Sequence, residues 1–503
     1  MARSNSAQVR SAPAQARLAP WAWAILAAGF YALCRQAYYV GFFNDDAFYI
    51  IGARSLLSGA YAQLNVPGHP PLVQYSPGHS LLLAPLAWLA GDRLWPYQAA
   101  SIAMMALSMG LLYIYLGSRL KASFWPALLL AAFNPLCASM SGAVLAEAPF
   151  LLALTASAVY AERVWREPRA GPWLGLFALA GFASLIRPNG AALGLALALA
   201  LARERRLRLA AGAAFFLAAF ALPWWLRNQR LAGAADTHWA ELISFAGGSW
   251  TGLAGALAYN LFYYLEAAFV ANFFRWPAGL SWLAIPSSAI GLGLAFWGLR
   301  GERSPAARRF LLPASGLYLL SFLIWDKQAS RYLLPLLPFV LSYTLWGLER
   351  LARARAWAWG AAALGLALCA PPLCAIIRAR PGDGDARTTA PASAFEWARV
   401  RSRPEEVFAV DLDGRFFLHT GRQAVKLPAA EGDLLSGLAG VSYVALFRSD
   451  DPLRSRRGSS AHDAPSFEAR LKSLGDASRY ERAFENAGEG SVIFRVKRGT
   501  TGG

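Results

Sequence analysis

The chain has 503 residues, 56% of them hydrophobic and only 16% charged, with a net charge of +18. Soluble domains carry about 25% charged residues. The deficit excludes an ordinary soluble chain and points to a membrane protein.

Runs of about 20 mostly apolar residues, the length that crosses a bilayer, lie at 19–40, 96–117, 123–140, 143–161, 172–187, 189–203, 209–226, 281–299, 309–325, 332–349 and 356–378. That reading predicts eleven spans. The short pair at 172–187 and 189–203 meets at Arg187-Pro188-Asn189 and reads as a tight helical hairpin. With Arg3, Arg10 and Arg17 in the cytoplasm, every second loop is basic: Ser118-Arg119-Leu120-Lys121, 163–169, 203–208, 300–309 and 349–355. This matches the positive-inside rule. The basic excess is therefore largely topological, and nucleic acid is not an expected partner. The first apolar run has no small-residue cleavage site and reads as a retained span. Residues 79–91 are too short to span and read as interfacial. The aromatic stretch within 236–280 reads as an interfacial helix on the outer face, because one additional span would invert every later loop. Cys34, Cys137, Cys369 and Cys374 lie in or beside apolar runs without metal-site spacing and read as buried small hydrophobes.

Composition divides the chain into a cytoplasmic tail (1–18), a membrane domain (19–378, with outer loops 41–95 and 227–280), a linker (379–391) and an outer domain (392–503). The linker contains Pro381-Gly382-Asp383-Gly384-Asp385. After it, β-type runs at 406–412, 424–427, 441–447 and 491–496 alternate with helical patterns near 392–401 and 466–474. They predict a small α/β domain.

The chemistry gathers in the first outer loop and along the same face. Asp45-Asp46-Ala47-Phe48-Tyr49 follows the first span, and residues 47–59 have helical periodicity. An aspartate pair at a helix start suits capping, and capping also holds a carboxylate rigidly. Gly68-His69-Pro70-Pro71 and Tyr75-Ser76-Pro77-Gly78-His79 form a loop stiffened by proline. His69 and His79 are candidates either for ligands or phosphate contacts or for structural rings. The predicted topology carries Glu147, Arg187, Arg227 (with Arg230 nearby), Asp326, Lys327 and Arg331 to the same boundary. Ionisable groups at membrane depth cost about 2.5–3.5 kcal/mol at a helix centre, so these need a reason. Snorkelling is one for the arginines; a shared outward cavity is the other. Carboxylates beside guanidinium groups at a membrane boundary suit a lipid-linked phosphate substrate. A phosphate leaving group needs no proton, so one general base is sufficient, and a single displacement inverts the anomeric configuration. The face excludes cytoplasmic nucleotide-sugar donors.

These motifs resemble the GT-C membrane glycosyltransferases of the family 39 type, which include protein O-mannosyltransferases and lipid A aminoarabinose transferases. The matching residues are Asp45-Asp46-Ala47-Phe48-Tyr49, Ala53-Arg54-Ser55-Leu56-Leu57, His69-Pro70-Pro71-Leu72, Ala146-Glu147-Ala148-Pro149-Phe150, Arg187-Pro188-Asn189-Gly190, Pro223-Trp224-Trp225-Leu226-Arg227-Asn228 and Arg331-Tyr332-Leu333-Leu334-Pro335. The resemblance covers about residues 19–350. It implies a mostly α, GT-C-like polytopic fold of about 11 to 13 spans with a small extracytoplasmic α/β domain, in a bacterial inner membrane. It implies transfer of a sugar from a polyprenyl-phosphate donor to an extracytoplasmic acceptor. By that resemblance Asp45 is the base, with the choice between Asp45 and Asp46 left open by an Asp-Asp pair where Asp-Glu is common. Donor or acceptor binding falls to Tyr49, Arg54, His69, Tyr75, His79, Glu147, Arg187, Arg227, Lys327 and Arg331. No cofactor is required. A divalent metal near Asp45, Asp46 and His69 is left open, since carboxylates suit Mg, Ca or Mn and no spacing enforces one. In the outer domain, Asp413-Gly414-Arg415 and His419-Thr420-Gly421-Arg422 resemble bacterial members, with acceptor binding as the expected role. The rival readings are a lipid-linked oligosaccharide ligase or polymerase and a lipid or solute transporter.

Overall fold

A computed structural model describes residues 14–117, 119–120, 122–166, 170–232, 249–273, 282–302, 304–325, 328–380, 389–428, 440–450, 466–475 and 478–497. Helices dominate. In chain order they begin α1 (Ala14–Leu33), α2 (Asp45–Leu57), α3 (Pro77–Ala90), α4 (Trp95–Gly117), α5 (Phe124–Ala132), α6 (Pro135–Ser141), α7 (Glu147–Arg166), α8 (Ala170–Ile186), α9 (Ala191–Arg203) and α10 (Leu207–Ala232). Helices Trp250–Phe273, Ala284–Arg300, Leu312–Leu323, Leu337–Ala352 and Arg355–Arg378 follow. Among the described residues, three helices, Trp95–Gly117, Leu207–Leu231 and Arg355–Arg378, are long and apolar enough to cross a membrane on their own. A fourth joins them if α5 and α6, bent by 46°, form one broken span. The break falls at Asn134-Pro135, where Pro135 opens α6 and the Asn134 side chain accepts from the Leu136 amide.

Polar groups collect at two opposite ends of this bundle. At one end lie Asp45, Glu147, Arg187 and Arg331. At the other, Arg119 pairs with Glu162 and with Glu302 (3.3 Å), and Glu204 accepts from Trp165 Nε1 (3.0 Å) and Arg309 Nη1 (2.6 Å). Helix α7 joins the ends, with Glu147 in its first turn and Glu162 near its last. At 1.5 Å per residue those two side chains are separated by about 22 Å along the axis. The reading of 172–187 and 189–203 as a hairpin appears as α8, a 3-10 turn at Pro188–Gly190, and α9. Close helix contact relies on small residues. A Cβ on Gly347 would lie 1.9 Å from the Leu294 carbonyl, and one on Gly298 would lie 2.2 Å from the Tyr343 carbonyl.

The helix Trp250–Phe273 is placed by Asn260, near its midpoint. Asn260 Nδ2 donates to the carbonyls of Leu323 (2.8 Å) and Trp325 (2.7 Å), and Gln328 donates to its Oδ1. The midpoint therefore sits at the Arg331 end of the bundle and not halfway along it.

The C-terminal domain holds a five-stranded sheet in the order β2-β1-β3-β5-β4. The strands are β1 (Val407–Val410), β2 (Ala424–Lys426), β3 (Val441–Phe447), β4 (Tyr480–Asn486) and β5 (Ser491–Val496). β1 pairs in parallel with β2 and β3, while β5 pairs antiparallel with β3 and β4. A parallel pair needs a crossover, and the helix Asp413–Thr420 supplies it between β1 and β2. Helix Ala392–Arg401 covers one face through Phe395, packed with Phe408, Phe416 and Phe447. Helix Phe467–Ser473 covers the other face through Phe467, packed with Val407, Val444 and Phe494.

Candidate active site

Helix α2 begins at the acidic pair. Its N-cap, Asn44, has φ 61° and ψ −39°, a conformation that a side chain rarely adopts and that Asn tolerates better than most. This turn sends the two aspartates in different directions. Asp45 is one-third exposed; Asp46 is buried. Asp46 Oδ2 accepts from the Gly41 amide at 2.6 Å, and its Oδ1 has no hydrogen-bond partner. Burial, reinforced by the charge of Asp45, pushes the Asp46 carboxyl up to about 7, against the opposing pull of the Gly41 amide.

Asp45 faces the cations. Its Oδ2 accepts from Arg331 Nη2 at 2.6 Å and its Oδ1 accepts from the Tyr75 hydroxyl at 3.0 Å. Arg331 also approaches Glu147, with Nε 3.6 Å from Oε1. Arg187 Nη1 lies 3.3 Å from the same Oε1. Two carboxylates and two guanidinium groups thus form one chain, Asp45–Arg331–Glu147–Arg187. Glu147 stands in the first turn of α7, where a helix N-terminus favours a negative charge. Arg187 follows α8 as the N-cap residue of the 3-10 turn Pro188–Gly190, and Arg331 follows the helix Leu312–Leu323 in a 3-10 turn. The Tyr332 ring lies under both guanidinium groups, 5.0 Å from Arg187 and 5.6 Å from Arg331. Arg331 Nη1 and Arg187 Nη1 are buried without hydrogen-bond partners. The cluster holds donors not yet engaged, as an anion-binding site requires.

The remaining predicted residues divide. Tyr75 reaches Asp45 directly and stacks on Phe48 at 5.0 Å. Tyr49 packs edge-on against Tyr75 and, at 4.7 Å, against His79. His79 is buried with neither ring nitrogen bonded, and burial lowers its pKa to about 3. It is a neutral ring behind the site. Arg227 holds the loop: Nη1 donates to the Leu72 carbonyl (3.0 Å) and Nη2 to the Tyr61 carbonyl (2.9 Å), while Asn228 Nδ2 donates to the Val73 carbonyl (2.9 Å). Arg54 turns to the far end of α3, donating to the Gly91 carbonyl and pairing with Asp92, both at 3.3 Å. His69 lies against Gln423 of the C-terminal domain at 3.2 Å. Lys327 lies outside the described residues. Among the described residues, no group of three or more His, Cys, Asp and Glu side chains is placed to hold a metal ion. His69 is turned to Gln423 and both Asp45 oxygens are engaged, so Asp45, Asp46 and His69 do not form such a set.

Neither Asn44 nor the Tyr332 ring was assigned a role from the sequence. The signal for Asn44 was its place immediately before an acidic helix start. Tyr332 gave none beyond adjacency to Arg331.

Residues 69–226 match the family model described as "Dolichyl-phosphate-mannose-protein mannosyltransferase". No curated protein matches the chain. Among solved structures, ArnT from Cupriavidus metallidurans bound to undecaprenyl phosphate is similar over 96% of this chain and 98% of that one, with a TM-score of 0.57 and 14% identity. The same protein in the apo state gives a TM-score of 0.54 and 13% identity over the same shares. At that identity the likeness is one of fold, and it runs nearly end to end, taking in the bundle and the C-terminal sheet alike. By fold this chain is similar to the ArnT chain, and its residues 69–226 carry the segment that the mannosyltransferase family model matches.

Proposed function

We propose that the chain is an inverting glycosyltransferase that moves a sugar from a polyprenyl-phosphate carrier to a hydroxyl acceptor at the extracytoplasmic face of a bacterial inner membrane. Asp45 is the general base. The carrying observation is the Asp45–Arg331–Glu147–Arg187 chain, in which a partly open carboxylate shares an arginine with a buried one.

The acceptor oxygen attacks the anomeric carbon as its proton passes to Asp45. The bond from that carbon to the phosphate oxygen breaks, and the polyprenyl phosphate leaves with the electron pair. Arg331, whose Nη1 is buried without a hydrogen-bond partner, and Arg187, whose Nη1 lies 3.3 Å from Glu147, hold the developing phosphate charge. Glu147 keeps the two guanidinium groups side by side despite their mutual repulsion. The similar ArnT chain was solved with undecaprenyl phosphate bound, which supports a lipid of this class as the carrier here.

The test uses membranes from source cells lacking the chain, which supply native donor and acceptor. Purified full-length protein is added, and lipid mass spectrometry follows polyprenyl-phosphate sugar turning into polyprenyl phosphate. Conversion that disappears with Asp45→Asn supports the reading. Full conversion by that variant overturns it, as does movement of the lipid across sealed vesicles without cleavage.

A further inference from the structure

The helix Asp413–Thr420 of the C-terminal domain docks on the turn that carries the acidic pair. Asn44, the strained residue immediately before Asp45, is held to this helix by its side chain. Its Oδ1 accepts from the Arg415 amide (3.1 Å) and its Nδ2 donates to Asp413 Oδ1 (3.3 Å). The other oxygen of Asp413 accepts from Asn65 Nδ2 at 2.7 Å, tying the same carboxylate to the second half of the outer loop. Asp413 is buried, and burial raises its pKa, against hydrogen bonds that lower it.

Arg415 completes the contact. It is among the most buried large side chains, with Nη1 and Nη2 forked onto Asp450 at 2.8 and 2.9 Å. Nη1 also donates to the Tyr39 hydroxyl at 2.8 Å. Its aliphatic stem covers Gly41, where a Cβ would lie 2.8 Å from Arg415 Cγ. Gly41 has φ +94° and donates its amide to Asp46. His419 bonds the Val40 carbonyl at 2.8 Å, and the Ala424 amide donates to the Asn65 carbonyl at 2.6 Å. Two residues with positive φ, Gly41 and Asn44, therefore flank a turn whose outer surface is formed by another domain. Strained backbone persists only where its surroundings over-determine it, and here the surroundings are Asp413 and Arg415.

We propose that Asp413 and Arg415 are positioning residues for sugar transfer: through Asn44 and Gly41 they fix the turn that presents Asp45 and buries Asp46. The C-terminal domain acts on the base and not on the acceptor. The inference rests on Asp45 serving as the base.

The test is a double-mutant cycle on the full chain in lipid nanodiscs with Asn44→Ala, Asp413→Ala and the pair, and with Asp413→Asn as the conservative variant. Two readouts are taken. Amide hydrogen exchange over residues 41–48 needs no substrate. Turnover of the native donor in chain-deficient membranes gives kcat and KM separately. Each single variant is expected to speed exchange at 41–48 by about tenfold while β1 and β3 stay protected. Turnover falls by about a hundredfold at unchanged KM for donor and acceptor, as for a base displaced by about 1 Å. The double variant is no worse than either single one, and Asp413→Asn recovers part of both losses. Independent, multiplying effects overturn the proposal. So does a raised acceptor KM with unchanged exchange at 41–48, which would make the domain an acceptor site. Failure of Asp45→Asn to abolish transfer would remove the base assignment yet leave the exchange result standing, so the two failures are told apart.

Discussion

Arg331 lies 2.6 Å from Asp45, and that one guanidinium also reaches toward Glu147. In the proposed reaction a donor phosphate competes with Asp45 for Arg331. The base is engaged while the site is empty and released as the phosphate arrives, which couples proton abstraction to donor binding. Undecaprenyl phosphate alone, titrated into the purified protein, reports on this competition. Arg331→Ala is expected to weaken binding by tenfold or more, as loss of a charged hydrogen-bond partner does. Asp45→Asn is expected to tighten it, because the arginine loses a competitor. Weaker binding by Asp45→Asn would refute the competition.

Arg227 distinguishes an anchor from a phosphate contact. Its two terminal nitrogens reach two loop carbonyls, and its guanidinium lies 5.0 Å from the Trp224 ring. A lysine keeps the charge but not the fork. Arg227→Lys is therefore expected to lose nearly as much turnover as Arg227→Ala, and both are expected to make residues 61–75 easier to cleave by protease. Near-normal turnover by the lysine variant would mean that charge alone is needed there.

Asp46 gives the fold a pH dependence. Its carboxyl titrates near 7 when folded, well above the ordinary carboxylate value of 3.8. Between those values the folded state binds more protons than the unfolded one, so this group makes stability fall as pH rises from about 4 to about 7 and level off above. Asp46→Asn removes that slope. Thermal melts of the purified protein between pH 5 and pH 8 should show a smaller decline for the variant than for the parent. An identical decline in both would show that Asp46 is not the group responsible.

Much of this arrangement was legible in the sequence because its signals were local. Proline at 188 separated two short apolar runs, and the structure has a 3-10 turn there between α8 and α9. Strands at 441–447 and 491–496 and the helix at 392–401 lie where β-branched and helical patterns put them. β4 was missed because Tyr480-Glu481-Arg482-Ala483-Phe484-Glu485-Asn486 is an edge strand with a largely solvated surface and little alternation. In the site, residue type and predicted side sufficed to bring Asp45, Glu147, Arg187 and Arg331 together. They did not place Arg54, His69 or Arg227, because side chains of that length choose among neighbours contributed by distant loops. Nor does any local pattern in 413–415 point to Asn44, some 370 positions earlier in the chain.

The crossing of Ala284–Arg300 with Leu337–Ala352 offers a stability test away from the site. Gly347 meets the Leu294 carbonyl so closely that any side chain must move a backbone. Gly347→Ala is expected to destabilise the protein by about 1–3 kcal/mol, read as a lower melting temperature in detergent. Unchanged melting would show that the helices separate freely.

The docking of the helix Asp413–Thr420 on Asn44 and Gly41 limits how such chains can be recombined. A chimaera that takes its C-terminal domain from a relative inherits foreign partners for Tyr39, Val40, Gly41, Asn44 and Asn65, and its acidic turn is no longer templated. Grafts that move residues 39–48 and 65 together with 392–497 preserve the seam, and those cut at the linker between bundle and sheet break it.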